Sequence, residues 1–258
     1  MRLHFKSFGN GKPLVILHGL FGSLNNWQTM GRRLGENFEV FTVDQRNHGH
    51  SPHSPVMNYR EMATDLVEFF DEHRLVAAHV LGHSMGGKTA MQFALSYPAR
   101  TRSLIVVDIA PRAYAESHDP ILDALLGIPL AEFSSREEVD KALAVKIENQ
   151  AVRAFLLTNL RRDEAGRFEW KMNLPVLKEH YQDLVAAVST DQSYAGPTLF
   201  LKGGKSNYLT TGDEPLMRRL FPAYVTFTIE AAGHWVHSEA PDALFAAVVR
   251  FLADNEND

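Results

Sequence analysis

Short apolar runs alternate with stretches of helical period along much of the chain. Six runs predict strands, because each is short and apolar and is followed by turn residues or a helical pattern. They cover residues 13–17, 38–43, 78–81, 104–109, 198–201 and 225–229. Between and after them, apolar residues recur at helical spacing over residues 27–34, 59–73, 88–96 and 241–252. This alternation predicts an α/β fold with a mostly parallel central sheet flanked by helices.

The alternation stops between residues 111 and 193. This segment is charge-rich and its period is helical over residues 136–149, 151–160 and 176–188, without a convincing strand. About eighty residues are too many for a loop within a compact domain. We therefore expect an inserted helical cap at residues 111–193, between two strands of a core that comprises residues 1–110 and 194–258.

Composition and charge narrow the class of partner. The 258 residues carry a formal net charge of −5, which supplies no basic field for nucleic acid or anionic lipid. Cysteine is absent, so disulfides, thiolate metal sites and cysteine nucleophiles are excluded. No apolar run approaches the length of a membrane span, and the N-terminus lacks a signal-peptide pattern. We expect a cytoplasmic protein, monomeric by preference, that binds neither nucleic acid nor membranes.

A tight turn presents one serine. The sequence GHSMG at residues 82–86 fits the pattern Gly-x-Ser-x-Gly, with a predicted strand before it and a predicted helix after it. The flanking glycines avoid side-chain collisions in such a turn, and Ser84 projects its hydroxyl above the sheet. The helix that follows directs its free N–H groups to the place where an oxyanion would form. Ser84 is therefore the predicted nucleophile.

A serine hydroxyl needs a base close to it in space. In proteins with a nucleophile turn of this kind, the acid follows the serine along the chain and the histidine follows the acid, in a loop after the last strand. Of twelve histidines only His234, after the strand at residues 225–229, occupies that place. His237 lies at the start of the next helix. The two could form a metal pair, but no further ligands suggest themselves, so we predict no metal.

The acid has two candidates. Asp108 stands at the end of the predicted strand 104–109, directly before the cap. Asp213 lies beyond the strand 198–201, and the loop between them carries Ser206 where an aspartate might be expected. The acid has to accept a hydrogen bond from the imidazole. A turn or helix-capping role would also explain Asp108, but we favour it over Asp213.

The loop after the first core strand, HGLFGS at residues 18–23, should supply the second oxyanion donor. Its glycines let the backbone approach a substrate, and the Leu20 N–H is the best candidate to act with the Met85 N–H, ahead of Phe21. Apolar residues of the cap and of the active-site loops should set the acyl-chain preference, unless they only pack the cap against the core. The candidates for this pocket are Phe21, Phe155, Leu156, Trp170 and Trp235.

The motifs HGLFGSLNNW, DQRNHGHS, GHSMGGK, VVDIAP and AGHWVH together resemble the α/β-hydrolase superfamily. More narrowly, the chain is similar over essentially its whole length to the small YbfF-type bacterial esterases, including NLPVL in the cap. The resemblance implies an α/β-hydrolase fold and hydrolysis of short-to-medium acyl esters or acyl-CoA thioesters without a cofactor. It also implies a triad of Ser84, Asp108 and His234. The serine at position 206 is a further matching feature, because the group likewise lacks an aspartate there.

The predicted function is therefore that of a serine carboxylesterase or thioesterase, which forms an acyl-enzyme on Ser84 with a small-molecule ester or thioester. The same triad could instead serve a C–C hydrolase, a lyase or a cofactor-free perhydrolase, because a fold does not settle function. A ligand-binding receptor that keeps the triad but turns over negligibly is the alternative from another class.

Overall fold

The computed structural model of the protein describes residues 1–188 and 190–255. Within these ranges the strands are β1 (Phe5–Phe8), β2 (Lys12–Leu17), β3 (Phe38–Val43), β4 (Ala78–His83), β5 (Thr101–Val107), β6 (Leu160–Arg162), β7 (Phe168–Trp170), β8 (Thr198–Gly203) and β9 (Tyr224–Ile229). The α-helices are α1 (Gln28–Leu34), α2 (Tyr59–Glu72), α3 (Met85–Ser96), α4 (Asp119–Leu126), α5 (Arg136–Ala144), α6 (Gln150–Leu157), α7 (Leu174–Glu179), α8 (Tyr181–Val185), α9 (Glu214–Leu220), α10 (Val236–Glu239) and α11 (Pro241–Asp254). None of the helices in this part of the chain has the length and hydrophobicity that a bilayer crossing requires.

Seven strands form the central sheet in the order β1-β3-β2-β4-β5-β8-β9. All neighbours pair in parallel except β1, which lies antiparallel to β3 at one edge. The predicted fold class is confirmed, and each of the six predicted strands has a counterpart. The sequence pattern missed β1, because this strand has only four residues, none of them is buried, and they form no continuous apolar run.

Helices cover both faces of the inner part of this sheet, which explains why β2 to β5 and β8 are largely continuous apolar runs, whereas β1 and β9 at the two edges are mostly unburied. Along β2, Val15 and Leu17 face one side and Leu14 and Ile16 face the other. The first side packs against apolar residues of α2, α3 and α9, and the second against those of α1 and α11. The sheet is thereby fixed as a rigid base for the loops that follow its strands.

The segment between β5 and β8 contains α4 to α8, and we refer to residues 111–193 as the cap. The helices α5 to α8 fall largely within the three stretches of predicted helical period, whereas the sequence pattern does not predict α4. The expectation that the cap has no strand is wrong, because β6 and β7 form a small antiparallel hairpin. Each strand has three residues, which is too few to show an alternating pattern. The helix predicted for residues 136–149 ends at Ala144, and the one predicted for residues 176–188 is divided at His180 into α7 and α8.

Hydrogen bonds fasten the cap to two loops that follow core strands and to the start of α2. They run from Asn159 Nδ2 to the carbonyl of Phe21 (2.6 Å), from the Asn173 N–H to the carbonyl of Asn47 (3.0 Å), and from the Tyr59 hydroxyl to the carbonyl of Leu184 (2.5 Å). Because the carboxyl ends of parallel strands lie at one edge of a sheet, the cap covers the edge to which the candidate catalytic residues belong.

Candidate active site

Ser84 lies in the turn between β4 and α3, with φ of 54° and ψ of −119°. A residue other than glycine rarely adopts these backbone dihedral angles, so the turn is strained. Only glycine fits at the positions two residues before and two residues after Ser84. A Cβ on Gly82 would lie 2.1 Å from the Gly86 carbonyl oxygen, and a Cβ on Gly86 would lie 2.5 Å from the His18 carbonyl oxygen. The turn therefore packs tightly against the end of β2 and holds the serine above the sheet.

The loop after β9 brings His234 to this serine. Its Nε2 lies 3.1 Å from Ser84 Oγ, and its Nδ1 lies 2.7 Å from Asp108 Oδ2. When the Nδ1–H donates to the carboxylate, Nε2 is left as an acceptor for the serine hydroxyl. His83 Nε2 lies 2.9 Å from the His234 carbonyl oxygen, and this hydrogen bond helps to hold the loop of His234 in place. The structure thus brings together the three residues that the sequence singled out.

Asp108 follows β5 directly, in a left-handed conformation with φ of 51°. Its carboxylate is fully buried, and it accepts hydrogen bonds from the Gly203 N–H (2.9 Å) and from the Ser206 hydroxyl, besides the contact with His234. A buried carboxylate needs such donors to offset its lost hydration. Ser206, at the position where an aspartate might be expected, therefore contacts the acid instead of replacing it.

Asp213, the rival acid, lies elsewhere. Its carboxylate accepts hydrogen bonds from the backbone N–H and the hydroxyl of Thr210, at 2.8 and 2.9 Å, at the start of a short helical turn. It also pairs with Arg112 Nε at 2.8 Å. Among the described residues, the hydrogen-bond and ion-pair partners of Asp213 are Thr210 and Arg112, and not His234. These contacts fit a structural capping role.

The backbone around Ser84 offers two N–H groups without an acceptor. Met85 is the first residue of α3, so its N–H has no partner within the helix. In the described part of the chain neither this N–H nor that of Leu20 donates a hydrogen bond. The loop after β2 lies against the nucleophile, because a Cβ on Gly19 would be 3.3 Å from Ser84 Cβ. Phe21, the second choice as donor, has a φ of 60°.

A cavity of about 360 Å³ adjoins the serine, and its walls are mainly apolar. This volume suits a small organic ligand. Four of the five predicted pocket residues line it, namely Phe21, Phe155, Leu156 and Trp235. The prediction for Trp170 is corrected, because its Nε1 donates to the Leu125 carbonyl at 3.3 Å and the ring packs within the cap.

The imidazoles near His234 are held neutral. Burial lowers the pKa of His83 well below its ordinary value and the pKa of His237 to about 4. Burial also lowers the pKa of His118, which lines the cavity. An imidazolium formed at His234 would therefore not face another positive imidazole at neutral pH.

Tyr208 is a neighbour of His234 that sequence reasoning missed. Its ring stacks on the imidazole with 3.9 Å between centroids and 19° between planes. The Tyr208 N–H donates to Ser206 Oγ at 3.2 Å, so one short loop places both a hydroxyl on the acid and a ring on the histidine. No pattern distinguishes this tyrosine from others in loops, and only its place after β8 could have pointed to it.

The histidine-rich run at residues 47–53 forms a turn in which His48 is buried, whereas His50 and His53 are exposed. His48 is fully buried, its Nδ1 lies 3.0 Å from the Arg46 carbonyl oxygen, and burial lowers its pKa to about 3. His237 stacks on Trp27, with 4.7 Å between ring centroids. Across residues 1–188 and 190–255, no group of three or more His, Asp or Glu side chains is placed to hold a metal ion.

Comparison with known proteins shows the family to which the chain belongs. The sequence profile of a family described as the alpha/beta hydrolase fold matches residues 12–241. The chain is 40% identical over 248 residues to the sn-1-specific diacylglycerol lipase ABHD11 of Mus musculus, covering 93% of this chain and 80% of that protein. It is 36% identical over 246 residues to esterase YbfF of Escherichia coli (strain K12), covering 95% and 94% respectively. A solved structure of a marine microorganism esterase superposes with a TM-score of 0.95 at 40% identity, covering 97% of this chain and 99% of that one.

Proposed function

The chain belongs to the α/β-hydrolase fold family and is a hydrolase, and from this premise we propose that it is a serine carboxylesterase acting through an acyl-enzyme on Ser84. One observation carries the proposal. Ser84 Oγ, the two ring nitrogens of His234 and Asp108 Oδ2 form a continuous hydrogen-bonded line, with distances of 3.1 and 2.7 Å. This is the arrangement that converts a hydroxyl into a nucleophile.

In the first step Ser84 Oγ attacks the ester carbonyl carbon while His234 Nε2 takes the hydroxyl proton. The carbonyl oxygen becomes an oxyanion, and the free N–H groups of Leu20 and Met85 donate hydrogen bonds to it. Asp108 accepts the Nδ1–H bond throughout, which keeps the imidazole in the required tautomer and stabilises the imidazolium.

The tetrahedral intermediate then collapses. The bond from carbon to the alcohol oxygen breaks, His234 donates its proton to the leaving alcohol, and the acyl group remains on Ser84. A water molecule next gives a proton to His234 as its oxygen attacks the acyl carbon. Collapse of this second intermediate returns the proton to Ser84 Oγ and releases the carboxylic acid.

The size and lining of the cavity indicate the substrate class. A volume of about 360 Å³ with apolar walls suits small-molecule esters with a short-to-medium chain, and acyl-CoA thioesters react by the same steps. The mouse relative is named as a diacylglycerol lipase and the E. coli relative as an esterase, which supports an ester substrate. We propose the oxygen ester as the primary substrate and the thioester as a second one.

The test uses p-nitrophenyl butyrate and a fluorophosphonate probe. We expect turnover of the ester, a mass increase on Ser84 with the probe and a transient butyryl adduct on the same residue. Ser84→Ala should lose all three, whereas Ser7→Ala, at an exposed position of β1, should keep them. Labelling without turnover of any ester in a series of graded chain length would favour a receptor. Turnover without an adduct would favour chemistry without an acyl-enzyme, and either result would overturn the proposal.

A further inference from the structure

A second cavity also has Ser84 in its wall. It is smaller, about 50 Å³, and it lies between α3, the end of α8 and the loop after β5. Its exposed wall is mostly apolar, like that of the cavity described above, but several polar side chains contribute to it. They are Tyr59, Lys88, Tyr114, Ser117, His118, Tyr181 and Tyr208. An ester held at Ser84 therefore has two different spaces for the two groups that flank its carbonyl.

Lys88 is the unusual member of this lining, because only 1% of it is exposed. It lies in the first turn of α3, where its N–H donates to the Ser84 carbonyl at 3.1 Å, and helical side chains lean toward the helix N-terminus and hence toward Ser84. Its Nζ donates to the carbonyls of Val185 and Ala186, at 3.2 and 2.6 Å. An ammonium has three N–H donors, and in the described part of the chain the third has no oxygen or nitrogen acceptor.

The charge on Lys88 also lacks a counter-ion. No aspartate or glutamate among the described residues forms an ion pair with it. Its Nζ lies 4.8 Å from the ring centroid of Tyr114, a contact that offsets only part of the lost hydration. The neighbouring Arg112 is itself paired with Asp213. Burial, with a smaller contribution from the Arg112 charge, lowers the pKa of Lys88 to about 7.

The other titratable groups that face this cavity are neutral at pH 7. Burial lowers the pKa of His118, and it raises the pKa of each tyrosine in the lining. Among the described residues that line the cavity, Lys88 is therefore the one whose positively charged form is populated at pH 7, and it lies beside the nucleophile with a free donor. A buried cation in this state is costly unless an anion accompanies it.

We propose that the smaller cavity binds a carboxylate of the substrate and that Lys88 determines specificity as its counter-ion. The inference rests on the proposed function and narrows it to esters in which a carboxylate lies a few bonds from the scissile carbonyl. A half-ester of a short dicarboxylic acid carries it on the acyl side, and an acylated hydroxy acid carries it on the alcohol side. Both place the same group beside Ser84, while the larger cavity receives the apolar part.

The test measures a ratio of kcat/KM values, for an anionic ester over its neutral isostere. The acyl-side pair is mono-p-nitrophenyl succinate and p-nitrophenyl pentanoate, and the alcohol-side pair is O-butyryl glycolate and propyl butyrate. In one pair we expect the anionic ester to be preferred about tenfold or more at pH 6.5, since hydrogen bonds to charged groups discriminate at this level. Lys88→Met should abolish that preference, and Lys146→Met, at an exposed site in the cap, should keep it.

The wild-type protein gives an independent measurement if Lys88→Met fails to fold. The preference should decline as the pH rises from about 6 to 9, because the free ammonium loses its proton near its pKa of about 7. The ratio cancels the titration that both esters share. A ratio near one in both pairs, or equal losses for both esters in Lys88→Met, would overturn this inference alone. Failure of the neutral esters to acylate Ser84 would instead overturn the proposed function.

Discussion

Replacing Asp108 by asparagine changes one buried group that has three donors around it. The carboxylate accepts from His234 Nδ1, from the Gly203 N–H and from the Ser206 hydroxyl. An asparagine side chain offers one oxygen acceptor, and its NH₂ group is a donor. If the NH₂ group faces the imidazole, the proton moves to Nε2, and His234 can no longer accept the proton of Ser84.

General magnitudes give the expected size of both effects. A wrong tautomer of this kind lowers kcat by about 10⁴, or roughly 5.5 kcal/mol of activation free energy. One buried donor left without an acceptor lowers the free energy of unfolding by about 1–3 kcal/mol. Asp213→Asn is a matched control. Asp213 is also buried and also accepts several hydrogen bonds, so it should lose comparable stability while kcat stays within about fivefold.

The assay combines kcat and KM for p-nitrophenyl butyrate with thermal unfolding followed by circular dichroism. We expect both variants to unfold cooperatively, with only Asp108→Asn losing turnover. The reasoning fails if Asp213→Asn loses as much kcat as Asp108→Asn. It also fails if folded Asp108→Asn keeps more than about a tenth of wild-type kcat, since the acid would then not govern the imidazole.

Three further predictions follow from single contacts. Ser206→Ala removes a hydrogen bond to the Asp108 carboxylate and should lower kcat by about tenfold or more with little change in KM, and an unchanged kcat would contradict it. Phe155→Ala enlarges the apolar cavity and should move the preferred ester chain to a greater length, while Trp170→Ala should not; equal shifts in a chain-length series would exclude this role. Burial lowers the pKa of His18 to about 4, so its contribution to stability is complete above about pH 6.5 and is lost as the pH falls toward 4. Urea unfolding should show a loss of stability across that range to which His18 contributes up to about 3 kcal/mol, beside the other buried histidines of lowered pKa, and equal midpoints at its two ends would refute it.

The sequence predicted the inner strands, the turn at Ser84 and the loop of His234, because each has a recognisable pattern in the sequence. The buried strands are apolar on both faces, so their runs are continuous and easy to recognise. The turn at Ser84 is equally explicit, because the contacts at Gly82 and Gly86 leave no room for a side chain. His234 could be identified because one loop in one position had to supply the base.

Other features depend on contacts that the sequence does not show. β1 has four residues and gains its order from pairing with β3, and the hairpin of β6 and β7 is shorter still. An apolar side chain in the cap can face the cavity or the interior of the cap, and periodicity does not distinguish Phe155 from Trp170. Lys88 follows a glycine-rich turn, where a lysine is expected on the surface, and only the fold shows that it is buried beside Ser84.

The choice between the two acids illustrates why position in the sheet matters more than position in the sequence. β5 and β8 are neighbours, Val107 pairs with Leu201, and the Asp108 N–H donates to the Leu201 carbonyl at 2.7 Å. The ends of these strands therefore share one corner, and a carboxylate from either could reach His234. With Asp108 in that corner, a second carboxylate at position 206 would repel it and raise the pKa of one of the pair. A hydroxyl at position 206 instead donates to Asp108 and stabilises its charge. The serine after β8 therefore complements an acid that lies at the end of the adjacent strand, β5.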